Sequence, residues 1–147
     1  MESSGKSKSE IISNFINRVR KFNLPTGEYT VVGGGVLAAR GLRGSIDVDL
    51  MLTKNLYERL KSEGWEEKEI RPGHFHIYKD NAEATKDFSH IDGCKLDSEN
   101  VIKNSDMIEG IPVMTFGDLV ELKQTMGREK DLRDIELITK YLESKNN

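Results

Sequence analysis

The sequence predicts one α/β (α+β) domain, in which a β-sheet is flanked by helices and a pair of helices stands at the C-terminal end. Apolar residues recur at helical spacing near the N-terminus, after residue 53 and again after residue 115. Short β-branched or alternating runs lie between these stretches, as is typical of strands in a half-buried sheet. A chain of 147 residues suits a single domain with its own core, and we assign that domain residues 1–147.

The first helix should begin at residues 7–10, where Ser-Lys-Ser-Glu has the pattern of a capping box. A β-branched run at residues 29–32 predicts the first strand. Three glycines then lead into a short helix at about residues 35–42. The residues expected to face the core from the first helix are Ile12, Phe15, Ile16, Val19 and Phe22.

A second strand is predicted over residues 46–52, with Ile46, Val48 and Leu50 on the face opposite Asp47 and Asp49. Thr53 should cap the next helix, over residues 54–63, and Gly64 should end it.

The middle of the chain, from Trp65 to Ile91, has a β-like pattern with a turn at Pro72-Gly73. Residues 82–91 predict a further strand, and Trp65 should anchor the core. His74 and His76 share one strand face, which indicates a half-exposed strand rather than a metal site.

The C-terminal third should contain a last strand and two helices. Residues 92–110 follow no clear pattern, and residues 111–114 predict the strand. A second capping-box pattern at residues 115–118 opens a helix that Gly127 interrupts. A final helix is expected from about residue 129 to 142. Its expected inward residues are Leu132, Ile135, Ile138 and Leu142.

Composition limits the function classes. Charged residues make up 32% of the chain and hydrophobic residues 36%, as in soluble globular proteins. A formal net charge of −3 provides no basic footprint for tight, nonspecific binding to nucleic acid. Cys94, the single cysteine, can form neither an internal disulfide nor a cysteine zinc site. Since the sequence has no apolar signal region or membrane-length stretch, we expect a cytoplasmic protein without a membrane partner.

The glycines at Gly33, Gly34 and Gly35 follow the first predicted strand directly. Without side chains, they let the backbone approach a ligand, and amides at the start of the next helix could hold nucleotide phosphates. The alternative is a tight strand-to-helix turn that needs positive φ. The spacing matches neither a Walker loop nor a dinucleotide-binding fingerprint.

Two carboxylates, Asp47 and Asp49, lie at i and i+2 in the second predicted strand. This spacing places both on one strand face, where they repel each other unless a cation lies between them. Mg²⁺ prefers oxygen ligands and is often held by one or two carboxylates together with substrate phosphates. The alternative is a pair of solvated residues on an exposed strand.

Gly33-Gly34, the twelve-residue gap that follows and Asp47-Val48-Asp49 resemble the signature of the nucleotidyltransferase fold superfamily. Arg43-Gly44-Ser45 resembles the Arg-x-Ser/Thr often found just before the acids. The segments 118–123 and 127–135 look like the C-terminal helices of minimal members, of the abortive-infection toxin and lincosamide-resistance types. The resemblance covers roughly residues 10–142, and its two blocks occur in the expected order.

The resemblance implies a small mixed sheet with the first two predicted strands adjacent, and a C-terminal helix pair that closes one side of a cleft. It also implies a third acid on a later strand. The best match is Asp87, although Lys86 stands before it where the family usually has an apolar residue; Asp92 and Asp80 are the fallbacks. Asp47, Asp49 and Asp87 would be the catalytic, metal-binding carboxylates.

The nucleotide-binding residues implied by the resemblance are Gly33, Gly34, Gly35, Arg43, Ser45, Lys123, Arg128 and Lys130. Asp131 and Asp134 would have an orienting part.

The expected activity is transfer of a nucleoside monophosphate from an NTP to a hydroxyl, dependent on two Mg²⁺ (or Mn²⁺) ions. The acceptor stays open between a small molecule, a tRNA end and a protein side chain. One alternative is a non-catalytic nucleotide-binding or toxin–antitoxin module with the same fold. Another is a structural α/β domain in which the aspartates are incidental.

Overall fold

One mixed β-sheet of seven strands organises the protein, and helices flank it; the computed structural model describes residues 6–145. The helices are α1 (Lys8–Arg20), α2 (Gly35–Ala38), α3 (Lys54–Ser62), α4 (Ser98–Lys103), α5 (Phe116–Met126) and α6 (Glu129–Lys145). The strands are β1 (Tyr29–Val32), β2 (Val48–Leu52), β3 (Glu66–Arg71), β4 (His74–Lys79), β5 (Ala82–Thr85), β6 (Asp106–Ile108) and β7 (Ile111–Val113). The predicted α/β class, the mixed sheet and the C-terminal helix pair are confirmed.

The strand order is β3-β4-β5-β2-β1-β7-β6. Strand β2 lies at the centre, antiparallel to β1 and parallel to β5. The predicted adjacency of the first two strands is therefore confirmed. The register of β2 with β5 aligns Asp49 with Glu83, while that of β1 with β2 aligns Val32 with Asp49. This pairing brings the C-terminal end of β1 together with two carboxylates near the N-terminal ends of β2 and β5.

Local capping signals determine where the helices start, as predicted. Ser7 and Glu10 form a complete capping box on α1. Thr53 accepts a hydrogen bond from the Leu56 amide at the start of α3, and Thr115 caps α5 through the Asp118 amide. Between α5 and α6, Gly127 adopts the left-handed conformation with φ +60°. A left-handed glycine ends a helix without the steric penalty of a Cβ.

Several boundaries differ from the predictions. Helix α2 is a single turn, and β5 ends at Thr85 instead of Ile91. Residues 92–110, which had no clear pattern, contain α4 and β6.

The prediction that Ile46 lies in the second strand is wrong, because β2 begins only at Val48 and Ile46 is 71% exposed. The Ile46 carbonyl accepts a hydrogen bond from Asn81 Nδ2 at 2.6 Å, so the chain is still in a loop at this point.

Helix α6 is rotated relative to the prediction. Ile138 is buried as expected, but Leu132 is 56% exposed and Leu142 is 45% exposed. Asp131 and Asp134 face inward in place of the leucines. The apolar spacing alone would bury leucine, but basic side chains around the two carboxylates stabilise the observed rotation.

Trp65 is buried, and its ring packs against Phe22 at a centroid distance of 5.5 Å, which confirms it as a core anchor. Residues 6–145 contain no helix with the length and apolar character needed to cross a membrane.

Candidate functional site

The glycine turn and the acidic strand meet at Gly33. Gly33 has φ +67°, and a Cβ placed on it would lie 2.7 Å from Asp49 Oδ2. The backbone of the turn and the Asp49 carboxylate are therefore in direct contact. This contact exists because β1 and β2 are antiparallel neighbours whose register ends with Val32 opposite Asp49.

Asp47, Asp49 and Glu83 line one open cleft of about 220 Å³ at the N-terminal ends of β2 and β5. Burial, reinforced by the charges of Glu83 and Asp47, raises the pKa of Asp49 to about 6. Glu83 is different, because hydrogen bonds from His76 and Tyr78 hold its pKa below the usual range despite partial burial. The site thus places Glu83, whose Oε2 accepts two hydrogen bonds, beside Asp49, whose ionised form is disfavoured by burial and by the neighbouring carboxylates.

Glu83 is the carboxylate that the sequence interpretation missed. It stands between Ala82 and Ala84, in an apolar-acid-apolar pattern that could have singled it out.

Asp87, the predicted third acid, lies elsewhere: its Oδ1 accepts hydrogen bonds from the amide and hydroxyl of Ser89. Asp87 and Ser89 line a separate surface pocket with His74. Of the fallbacks, Asp80 lines the cleft beside Asp47, while Asp92 pairs with Arg71 on the exposed surface.

The other two glycines have different surroundings. A Cβ on Gly34 would lie 3.8 Å from Ser45 Oγ and 3.9 Å from Arg43 Nη2, so both predicted binding residues lie beside this turn. A Cβ on Gly35 would collide with the Phe15 ring and approach Val31 Cγ1 to 2.8 Å. Gly35 is therefore required by packing against α1 and β1.

A buried ion network joins α5, α6 and the loop after the glycine turn. Lys123 Nζ lies 2.9 Å from Asp134 Oδ2 and 3.4 Å from Asp131 Oδ1. Arg43 binds Asp134 at 2.6 Å, and Arg128 binds Asp131 at 2.6 Å. The hydrogen bonds from Arg128 outweigh burial and lower the pKa of Asp131. The predicted phosphate-binding residues Lys123 and Arg128 are therefore already paired with carboxylates.

Lys130 is not part of this network. It lies on the exposed side of α6, and no ion pair links it to another residue within 6–145.

A second cavity, of about 230 Å³, opens on the inner side of Asp49 and Glu83. The strand that carries His74 and His76 is half-exposed as predicted, but the His76 side chain itself is buried and lines this cavity. His76 Nδ1 lies 2.6 Å from Glu83 Oε2, and the His90 ring packs edge-on against the imidazole. Leu122 and Met126 of α5 form part of the wall, so the C-terminal helix pair borders the cavity.

No set of three His, Cys, Asp or Glu side chains within residues 6–145 forms a ready-made metal site. The oxygen donors of Asp47, Asp49 and Glu83 nevertheless suit Mg²⁺, which needs only one or two carboxylates when phosphates supply other ligands. Burial and the neighbouring carboxylates disfavour the negative charge of Asp49, so a bound cation would stabilise it.

Replacing Gly33 with alanine tests the contact between the turn and Asp49. We expect the free energy of unfolding to fall by about 2 kcal/mol, because alanine is strained at positive φ and would displace the Asp49 carboxylate. Urea denaturation measures the change. Gly44→Ala is the matched control, since a Cβ at Gly44 meets no atom within 4 Å and φ there is not positive. An equal effect of the two substitutions would contradict the proposed contact.

Comparison of the chain with protein-family models, with curated proteins and with solved structures found no match in any of the three.

Proposed function

We propose that this protein is a Mg²⁺-dependent (or Mn²⁺-dependent) nucleotidyltransferase that transfers a nucleoside monophosphate from an NTP to a hydroxyl acceptor. The observation that carries the proposal is the contact of the Gly33 backbone with Asp49, with Glu83 aligned beside it on the parallel neighbour strand. The fold would then be nucleotidyltransferase-like, as the resemblance of Gly33-Gly34 and Asp47-Val48-Asp49 to that signature implies.

In this proposal the glycine turn and the side chains beside it would bind the nucleotide phosphates. Among residues 6–145, the amides of Gly34 and Gly35 donate no hydrogen bond within the protein, so they remain available to phosphate oxygens. Arg43 and Ser45 lie beside Gly34 and could contact the same phosphates. Arg43 is held by a bidentate interaction with Asp134, which fixes its guanidinium near the turn.

Asp47, Asp49 and Glu83 would hold the metal, which would supply positive charge for activating the acceptor oxygen and for stabilising the pyrophosphate that leaves. Glu83 would take the role that the resemblance implies for Asp87. Because His76 and Tyr78 both donate to Glu83 Oε2, the carboxylate is fixed in orientation beside Asp49. Positioning and charge compensation would supply most of the catalysis, as in other phosphoryl-type transfers.

The decisive experiment incubates the purified protein with each of four α-labelled NTPs, Mg²⁺ and a cell extract, and measures label transfer and pyrophosphate release. We expect Asp47→Asn and Glu83→Gln each to lower the transfer rate by at least about a hundredfold, because each removes a proposed metal-binding charge.

Asp87→Asn is the matched control and is expected to retain most of the transfer activity, since its carboxylate only orders the loop around Ser89. Full activity of Glu83→Gln together with loss of activity in Asp87→Asn would return the third-acid role to Asp87. Unchanged transfer by Asp47→Asn would contradict the proposed metal site.

The non-catalytic alternative, a nucleotide-binding or toxin–antitoxin module, is favoured by one observation. Lys123 and Arg128 are neutralised by Asp131 and Asp134, which leaves fewer cations for a triphosphate. Binding of Mg²⁺-ATP by calorimetry, without label transfer by the wild-type protein, would favour this alternative over the enzyme.

A further inference from the structure

A groove of about 620 Å³ lies where the C-terminal ends of α1 and α3 meet the turn between β4 and β5. Its basic side chains are Arg18, Lys21, Arg59 and Lys79. The acidic residues Glu63 and Asp80 also line it, and the rings of Phe22 and Trp65 supply an apolar part. Basic side chains therefore outnumber acidic ones in this groove, although the whole chain has a formal net charge of −3.

Most of the positive charge in the groove is not compensated within the protein. Arg59 pairs with Glu63 at 3.4 Å. Arg18, Lys21 and Lys79 form no ion pair with any other residue in the range 6–145. Arg18 donates from Nη1 to the Ser45 carbonyl at 2.9 Å, and a guanidinium has further N–H groups to offer. Cations gathered in this way attract an anionic ligand.

The groove opens onto the proposed metal site. Asp80 and Asn81 line both the groove and the cleft that contains Asp47. Asn81 Nδ2 donates to the carbonyl of Ile46, the residue just before Asp47, at 2.6 Å. Arg18 holds the same loop through its hydrogen bond to residue 45. A ligand in the groove can therefore extend one end toward the carboxylate cleft.

The groove is separate from the proposed nucleotide site. Neither the glycine turn at residues 33–35 nor Arg43 lines it. An NTP held by the glycine turn would leave the groove open. The groove is therefore placed to take the second substrate.

The size and chemistry of the groove favour a compact ligand with a phosphate group. Its volume is within the range of small-molecule sites, about 300–1,000 Å³. Guanidinium and ammonium groups bind phosphate through charge-assisted hydrogen bonds. At the cleft end, the Asp80 carboxylate and the Asn81 amide suit ligand hydroxyls, which both donate and accept. Glu63 and Asp80 would repel a long nucleic-acid strand that followed the groove.

We infer that the groove binds the acceptor, a small hydroxylated phosphomonoester, with its phosphate on the basic side chains and a hydroxyl toward Asp80 and Asn81. The acceptor role rests on the proposed function, whereas the binding itself needs neither nucleotide nor metal. In the transfer, the hydroxyl oxygen forms a bond to the α-phosphorus of the NTP. The bond from the α-phosphorus to the bridging oxygen breaks, pyrophosphate leaves with the electron pair, and the hydroxyl proton passes to water.

The test titrates the full chain, without nucleotide or Mg²⁺, with ribose 5-phosphate and with ribose, which lacks the phosphate, and follows amide resonances by NMR. We expect ribose 5-phosphate to bind at least about tenfold more tightly than ribose, since only it carries an anion. The side-chain amide of Asn81 and the backbone amide of Lys21 should shift, while those of Gly34 and Gly35 should stay in place. Equal affinities, or shifts confined to the glycine turn, would overturn the inference.

Two pairs of substitutions test the role of the basic side chains. Lys21→Gln combined with Lys79→Gln should weaken binding of ribose 5-phosphate at least about tenfold. Lys54→Gln combined with Lys103→Gln is the matched control, because it removes the same charge from positions outside the groove and should retain the affinity. All four lysines are exposed, so neither double variant disturbs the core. An equal loss in both would attribute binding to overall charge and overturn the inference.

Competition experiments exclude other occupants. Mg²⁺-ATP should leave ribose 5-phosphate bound; its displacement would place the ligand in the nucleotide site and overturn the inference. Hexauridylate should bind no more tightly than ribose 5-phosphate. Tighter binding of hexauridylate, lost in the Lys21→Gln, Lys79→Gln variant, would make the groove a site for single-stranded RNA and overturn the small-molecule assignment.

The labelling assay with cell extract separates this inference from the proposed function. Lysine-dependent binding of ribose 5-phosphate, in a protein that transfers no label, would support the binding site while the proposed function fails. Label transfer that is equal in wild type and the Lys21→Gln, Lys79→Gln variant at limiting extract would keep the function and overturn the inference. A higher half-saturating extract concentration for that variant, with an unchanged maximum rate, would support both.

Discussion

Replacing Asp49 with asparagine is expected to abolish nucleotidyl transfer and, at the same time, to stabilise the fold at neutral pH. Asp49 is the carboxylate that touches the glycine turn and lies between Asp47 and Glu83. Its removal eliminates the central metal-binding charge, so the transfer rate should fall at least about a thousandfold. Such a variant would show that the charge is kept for function at a cost in stability.

The stability effect follows from the raised pKa of Asp49, about 6 against an ordinary value of 3.8. Between these two pH values the folded state holds a proton that the unfolded state has lost, so stability falls as the pH rises through this window. At pH 7 both states are ionised, and the wild-type protein bears the full penalty, about 2 to 3 kcal/mol. Asparagine carries no charge, so the Asp49→Asn variant avoids this penalty.

The measurement is urea denaturation of wild type and Asp49→Asn at pH 4 and at pH 7.5. The variant should be more stable by about 2 kcal/mol at pH 7.5 and nearly equal to wild type at pH 4. Asp47→Asn is the control: Asp47 is exposed, so its removal should change stability by less than about 0.5 kcal/mol even though transfer is lost. A destabilised Asp49→Asn would mean that the carboxylate is compensated in the folded protein.

Lys123→Met is expected to give the largest loss of stability, about 3 kcal/mol. Only 8% of the Lys123 side chain is exposed, and it lies between Asp131, whose side chain is fully buried, and Asp134. Removing one partner of a buried ion pair leaves an uncompensated charge and typically costs about 3 to 5 kcal/mol. The lower end applies because Arg128 and Arg43 still neutralise part of the charge.

Chemical denaturation at pH 7 measures this loss, with Lys130→Met as the matched control. Lys130 carries the same charge on an exposed part of α6, so its replacement should change stability by less than about 0.5 kcal/mol. If Lys130 contacts phosphates as the resemblance implies, the Lys130→Met variant should also show a higher KM for the NTP while its fold is unchanged. Equal stability of Lys123→Met and wild type would mean that the network contributes nothing to folding.

The sequence by itself determined the features that depend on residues close together in the chain. Ser7, Thr53 and Thr115 cap helices through amides three residues away, and Gly127 ends a helix through its own backbone conformation. The α/β class follows from similar short patterns, whereas the adjacency of the first two strands was implied by the resemblance of Gly33-Gly34 and Asp47-Val48-Asp49 to the nucleotidyltransferase signature. The proximity of Gly33 to Asp49 was within reach as well, because residues 33–47, which include the single turn of α2, connect two antiparallel neighbours.

Only the tertiary structure decided which distant residues meet. Glu83 stands beside Asp49 because β5 pairs with β2 in parallel register, and a parallel register is not written in the local pattern of either strand. The rotation of α6 buries Asp131 and Asp134 because Lys123, Arg43 and Arg128 arrive from other parts of the chain. Charge compensation of this kind outweighs the apolar spacing of Leu132, and it exists only after the elements have packed together.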